Sequence, residues 1–249
     1  MAKLNSIVMF LNKELKIKRI EDKSYNGLQV KCKNEINKIG FAVDACISTI
    51  EKAKKQKIDL LIVHHGIKWK GKKDDLKLKE RTINFLKKYD ISLYGVHLPL
   101  DMHEKYGNNI QLANLLKLEK ITKFGKYNKK SIGYKGIFKK HLTIQQITNK
   151  LNKELKTNCQ ILNYGKKQIK IIGIVSGGGS SCFKESLNLD CFLLGEAPYH
   201  ISVQSRDLKH NVIIAGHYAT ETLGVKALMP LLKEKFNVRT IFIDNPTNL

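Results

Sequence analysis

Residues 91–101, ISLYGVHLPLD, and residues 211–221, NVIIAGHYATE, repeat one pattern. Each is a short apolar run, a small turn residue, a histidine, and a carboxylate four positions later. Each is preceded by an earlier apolar run, DLLIVHHG from Asp59 to Gly66 and DCFLLGEA from Asp190 to Ala197. Further upstream, KIGFAV at 38–43 pairs with KIIGIV at 170–175. Runs of this length are strands, and a repeat that keeps His, Asp and Glu at strand ends keeps the residues a metal site needs. A duplicated fold aims both sets at one point.

Apolar period and punctuation predict strands at 38–43, 59–64 and 91–96, with helices at 4–17, 46–57 (Ile47, Ile50 and Ala53 inward), about 75–89 and 107–117. Asp74 is the expected N-cap of the third of these helices. The second half predicts strands 170–175, 190–194, 211–215 and 238–243, a glycine turn at 177–179, and helices 181–188, 199–209 and 218–234. The stretch 131–162 reads as strand, helix (143–155) and strand. Strands alternating with helices of this length indicate an α/β architecture with largely parallel sheets. The expected division is a first repeat over 1–125, a short connecting segment over 126–169 and a second repeat over 170–249. No Pro/Ser-rich hinge separates the repeats, so they are expected to be packed or intertwined.

With 249 residues, 42% of them hydrophobic, the chain buries a substantial core and is not a disordered polymer. Its apolar runs fall far short of the roughly 20 residues that span a bilayer, and the N-terminal segment lacks a secretory pattern. Five cysteines without C-x-x-C spacing argue against a disulfide framework and a thiolate zinc site, and a cytoplasmic location is expected. Lys and Arg number 45 against 22 Asp and Glu, a net +23. A field of that sign favours salt-sensitive, sequence-blind binding to phosphate backbones, although a solvated basic surface has the same composition.

In a parallel sheet the carboxyl ends of the strands carry function, and His64, His65, His97, Glu196 and His217 all fall there. Adjacent His64 and His65 diverge, so each ring serves one of two ions. His97 and Asp101 flank a turn containing Pro99, and His217 precedes a helix whose first turn carries Glu221. Imidazole with carboxylate and no thiolate suits Zn, Fe, Mn, Ni or Co. Two such ions, bridged by a carboxylate and a water, form a hydrolytic centre. Each residue taken alone has a plainer reading as a core histidine or a helix cap. Ser176-Gly-Gly-Gly-Ser-Ser181 is either a tight turn or a phosphate cradle at a helix N-terminus, and Trp69 in the basic stretch 68–73 either stacks a base or anchors a loop. His103 and Glu104 are expected to be turn residues.

The chain resembles the GTP cyclohydrolase type 2 homologue family, the NIF-three-like proteins. The likeness runs nearly end to end, through YNGLQV at 25–30, VHHG at 63–66, VHLPLDMHEKYGNN at 96–109, SGGG at 176–179, LGE at 194–196 and AGHYATE at 215–221. Ser24-Tyr25 stand where parts of the family carry tryptophan and aspartate, and the large central insertion of some members is absent. The resemblance implies two intertwined α/β domains and two divalent metal ions. It carries over His64, His65, Asp101, His217 and Glu221 as ligands, with Glu221 bridging. It also implies a ring-like homohexamer, a trimer of dimers. His97 is then a metal-site orienter or proton shuttle, and Glu196, which aligns with His65, a general base or a supporting residue. Two functions are expected: sequence-nonspecific binding of single- or double-stranded DNA, or metal-dependent hydrolysis of GTP, another nucleotide or a phosphoester.

Overall fold

The computed structural model describes residues 1–71 and 76–247. The chain forms two units, one made of Met1–Tyr106 with Gly224–Asn245, the other containing Gly107–Leu223. The second is thus inserted in sequence between two pieces of the first.

The first unit begins with β1 (Ala2–Lys3), α1 (Leu4–Glu14), β2 (Gly27–Val30) and β3 (Glu35–Ile36). It continues with β4 (Lys38–Asp44), α2 (Ile47–Lys55), β5 (Leu60–His65), α3 (Leu76–Lys88), β6 (Ser92–Gly95) and the single turn α4 (Leu98–Asp101). In the second unit follow α5 (Asn108–Leu115), β7 (Glu119–Tyr127), β8 (Lys130–Leu142), α6 (Ile144–Leu155), β9 (Gln160–Asn163) and β10 (Ile169–Val175). A 3-10 turn at Gly179–Cys182 leads into α7 (Phe183–Ser186), then β11 (Cys191–Leu194), α8 (Tyr199–Asp207) and β12 (Asn211–Ile214). The helix α9 (His217–Phe236) carries the chain back to the first unit, which ends with β13 (Arg239–Phe242).

The first unit's sheet has the order β13-β4-β5-β6-β2, parallel except for β2. Side-chain alternation along β5 divides its core in two. Leu60 and Ile62 join Ile7 and Leu11 of α1 on one face, and Leu61 and Val63 join Ile50 and Ala53 of α2 on the other. Both faces are covered, which is why β4 and β5 read as continuous apolar runs. The second unit's sheet has the order β7-β8-β10-β11-β12-β9, with β10, β11 and β12 parallel. On one face Ile172, Ile174, Leu193 and Ile213 pack with α5 and α6.

The duplication is visible as chemistry. Asp59 accepts the backbone N–H groups of Asn37 and Lys38 and the Lys33 ammonium at 2.6 Å. Asp190 does the same for Lys170, Ile171 and Lys166, again at 2.6 Å. Each aspartate lies just before the central strand and ties its start to that of its neighbour. This register equates Leu60 with Cys191, His65 with Glu196 and Lys38 with Ile171. It also shifts two of the pairings read from sequence by one position: Ser92 and Asn211 oppose those equivalent residues, so the partner of His97 is Gly216, not His217.

Several expected elements differ in detail. The first helix ends at Glu14, before 17, because Lys16 adopts a left-handed φ of 50°. Asp74 as a cap lies outside the described residues, and of the inward set on α2, Ile47 is only half-buried. The expected helix 181–188 is a 3-10 turn followed by the short α7. The edge strand β7, EKITKFGKY, went unpredicted, since its lysines blur the alternation that marks a strand. The stretch 126–169 contributes the end of β7, β8, α6 and β9, all within the second unit.

Candidate metal centre

His64 and His65 end β5, and the neighbouring strands fix both rings. His64 is fully buried, and its Nδ1 lies 3.0 Å from the Val96 carbonyl oxygen, which can only accept. The Nδ1 position is therefore protonated and Nε2 is the other, ligand-competent nitrogen. That atom lies 3.4 Å from Asp101 Oδ2, so a proton or a metal cation must share the space between them. His65 Nδ1 lies 2.8 Å from Asp44 Oδ1, at the end of the adjacent β4, with the same consequence for its Nε2. His97 follows β6, and its Nδ1 lies 3.0 Å from Asp22 Oδ1. Each of the three imidazoles thus has Nδ1 committed to an oxygen, the arrangement by which proteins orient metal-binding histidines. One ligand atom from each lies within 4.8 Å of the others, so His64, His65 and His97 form a group that could hold a metal ion.

A polar frame supports this group. Asp22 accepts from the Ser24 and Leu98 N–H groups, from Asn26 Nδ2 and from His97. Burial alone would raise its pKa, but His97, Asn26 and the Ser24 N–H outweigh it and lower the value. Asn26 Oδ1 accepts the His97 N–H at 2.7 Å. Gln29 joins two loops by donating to the Tyr25 carbonyl and accepting from Ile67 N–H. Gly66 and Gly95 leave the space Gln29 fills, since a Cβ at either would overlap its amide. The Trp69 indole donates to the Gly66 carbonyl and packs edge-on against His97, with ring centres 5.0 Å apart.

In the second unit, His217 opens α9 and Glu221 follows one turn later on the same face. His217 Nε2 lies 3.1 Å from Glu221 Oε2, and its Nδ1 3.1 Å from Glu196 Oε2 at the end of β11. Burial disfavours the charged ring, but Glu221 and Glu196 together push its pKa up to about 9. Gly177 forms the floor of this arrangement, because a Cβ there would meet the Glu221 carboxylate and the His217 ring. Its φ of 59° is left-handed. The run at 176–181 forms a tight turn: the Gly177 N–H donates to Thr220 and the Gly179 N–H to the Gly177 carbonyl. That same carbonyl accepts the N–H of Glu196, while Asn109 holds Ser176 N–H at 2.6 Å.

The sequence reading named His64, His65, His97 and Asp101, which the first unit brings together, and Glu196, His217 and Glu221, which the second brings together. It missed the roles of Asp22, Asp44, Asn26 and Gln29. Asp44 had a signal, a carboxylate closing the run KIGFAVD one strand from His65. Asp22 had none, because only the folded chain brings it to His97. His103 accepts the Lys105 and Tyr106 N–H groups and shapes a turn, as expected.

Fold and site define an α/β protein whose strand ends carry oriented histidines and carboxylates suited to divalent metal ions. The sequence profile of the Duf34/NIF3 (NGG1p interacting factor 3) family matches residues 2–248, and the chain belongs to that family. It is 47% identical over 247 residues to the GTP cyclohydrolase 1 type 2 homolog of Pyrococcus horikoshii, covering 98% of this chain and 99% of that one. The fold is similar to protein ybgI, of unknown function (TM-score 0.92, 29% identity, covering 99% of this chain and 100% of that one). It is also similar to reduced HcgD from Methanocaldococcus jannaschii (TM-score 0.85, 26% identity, 98% of both chains). Among the described residues no helix is long and apolar enough to cross a membrane.

Proposed function

We propose that the chain is a dinuclear-metal protein in which His64, His65, Asp101, His217 and Glu221 would hold two divalent ions. The observation that carries this reading is the donor set: His64 and His65 have Nδ1 committed to Val96 and Asp44, and Asp101 Oδ2 lies 3.4 Å from His64 Nε2. The Gly177 floor adds to it, since that turn leaves room for two donors and for no side chain of its own. Zn, Fe, Mn, Ni and Co all suit nitrogen and oxygen donors of this kind.

Bound divalent ions supply the acidity that makes a water nucleophilic near neutral pH. The chain's own residues then position and relay. His97, fixed by Asp22, orients groups beside the histidines, and Glu196, more than half exposed next to His217, accepts or returns a proton. The reaction class is hydrolysis of GTP, another nucleotide or a phosphoester. A second reading, favoured by the net +23, is sequence-nonspecific binding of DNA through the basic surface. The protein acts as a cytoplasmic homohexamer, a trimer of dimers, in keeping with the family resemblance and with five cysteines that are all free thiols.

Elemental analysis of protein purified without added metal tests the first reading. We expect close to two divalent ions per chain, collapsing in Glu221→Gln and Asp101→Asn, and metal-dependent turnover in a screen of nucleotides and phosphoesters. Wild-type protein free of metal, and unable to take up zinc, would overturn it.

A further inference from the structure

The segment Asp22–Asn26 runs antiparallel to Lys68–Lys70. The Tyr25 N–H donates to the Lys68 carbonyl at 2.9 Å, the Lys70 N–H to the Lys23 carbonyl at 2.6 Å, and Ser24 lies opposite Trp69. Successive residues of such a ribbon point to opposite faces. Asp22 and Ser24 are buried and Trp69 half-buried on the inner face, where Asp22 holds His97 and the Trp69 ring centre lies 6.1 Å from that of His65. The outer face carries Lys23, Tyr25 and Lys70, all exposed, with Lys68 half-buried beside them. Glu21 is the acidic residue at its open end.

Tyr25 is 50% exposed, and Lys70 Nζ lies 5.8 Å from its ring centre. Other rings that carry a lysine, such as Tyr89, Tyr106 and Phe242, pack against hydrophobic clusters. Tyr25 belongs to none of these clusters, so core packing does not explain an aromatic ring at this position. The ribbon is also held in place, because Gln29 ties the Tyr25 carbonyl to the Ile67 N–H from behind.

We propose that this outer face is a binding platform for single-stranded nucleic acid, with the Tyr25 ring stacking a base and Lys23, Lys68 and Lys70 taking phosphates. The proposal rests on the nucleic-acid reading above and gives it a location on the back of the strip that holds His97. Charge complementarity selects a polyanion, and the half-exposed ring selects an unpaired strand, whose bases have free faces to stack. Lys68 and Lys70 stand two residues apart on an extended backbone, about 6.7 Å, and so track a strand rather than clamp one phosphate.

Fluorescence anisotropy with a fluorescein-labelled oligothymidylate of about 20 nucleotides tests this, using the full chain with its native metal content. Tyr25→Ala is expected to weaken binding about tenfold and Tyr25→Phe to preserve it. Lys68→Gln with Lys70→Gln is expected to flatten the logarithmic salt slope by about 1.4, roughly 0.7 for each phosphate no longer neutralised. GMP and the matching duplex are expected to compete poorly. Trp69 is the chain's one tryptophan, so its emission should change when the oligonucleotide binds. Metal content should stay unchanged in every variant, since these side chains face away from the histidines. Wild-type binding that persists in Tyr25→Ala and in the double lysine variant overturns the platform while leaving the nucleic-acid reading in place. No wild-type binding at low salt removes both, without touching the metal centre.

Discussion

Replacing Asp22 separates the scaffold of the histidine group from the group itself. In Asp22→Ala the Ser24 and Leu98 N–H groups lose their acceptor at a position only 7% exposed, and Asn26 and His97 lose theirs as well. A stranded buried donor costs about 1–3 kcal/mol; three of these four are only partly buried and the carboxylate's own desolvation cost is relieved, so the metal-free protein should lose about 3 kcal/mol in all. For a chain of this size that is a fall in melting temperature of about 6–12 °C, leaving the fold intact. Asp22→Asn poses a sharper question. Its amide can donate to His97 Nδ1, which moves the ring proton to Nε2, the atom that should face the other two histidines. Zinc affinity should then fall about 10–100-fold while stability drops less than in the alanine variant. Competition with a chromophoric chelator, alongside melts of stripped protein, measures both quantities. If Asp22→Asn bound zinc within about twofold of wild type, the claim that Asp22 sets the His97 tautomer would be wrong.

Two further expectations follow from local geometry. Gly177→Ala places a methyl group against Glu221 and His217 at a left-handed φ, so we expect about 1–3 kcal/mol of destabilisation and a loss of bound metal by elemental analysis. Asp59→Ala and Asp190→Ala remove equivalent knots, and each should cost about 2–4 kcal/mol in urea unfolding, with the two values within about 1 kcal/mol of each other. Burial alone would raise the pKa of both aspartates, yet their lysine and N–H partners hold each below the ordinary carboxylate value of 3.8. The stability they confer is therefore complete well above that value and fades as pH falls through their depressed folded values, and acid unfolding of either alanine variant should lose that part of its pH dependence.

The central strands were legible because burial on both faces leaves a continuous apolar run, as in DLLIV and NVII. The long hairpin was half-legible, since β8 keeps its apolar alternation while β7, on the sheet edge, exposes Lys120, Lys123 and Lys126. The candidate donors were legible for another reason: strand ends in a parallel sheet are where polar residues stop being excluded, so a histidine closing an apolar run stands out. The one-residue slip in aligning the two copies had a physical cause too. Sequence matching follows the identity of His97 and His217, whereas the fold follows backbone register, and Asp59 and Asp190 set that register.

Periodicity and local chemistry are written along the chain, and they were enough to establish the duplicated α/β plan and the run of buried parallel strands. They also placed His64, His65, His97, Glu196 and His217 at the strand ends, with Asp101 and Glu221 one turn further along the chain. Which nitrogen each imidazole presents is a property of the folded molecule alone. That choice belongs to Val96, Asp44, Asp22 and Glu196, which reach the rings from other strands and loops. Hydrogen-bond partners distant in sequence leave no periodic trace, so their effect on a ligand emerges only once the backbone has brought them within about 3 Å.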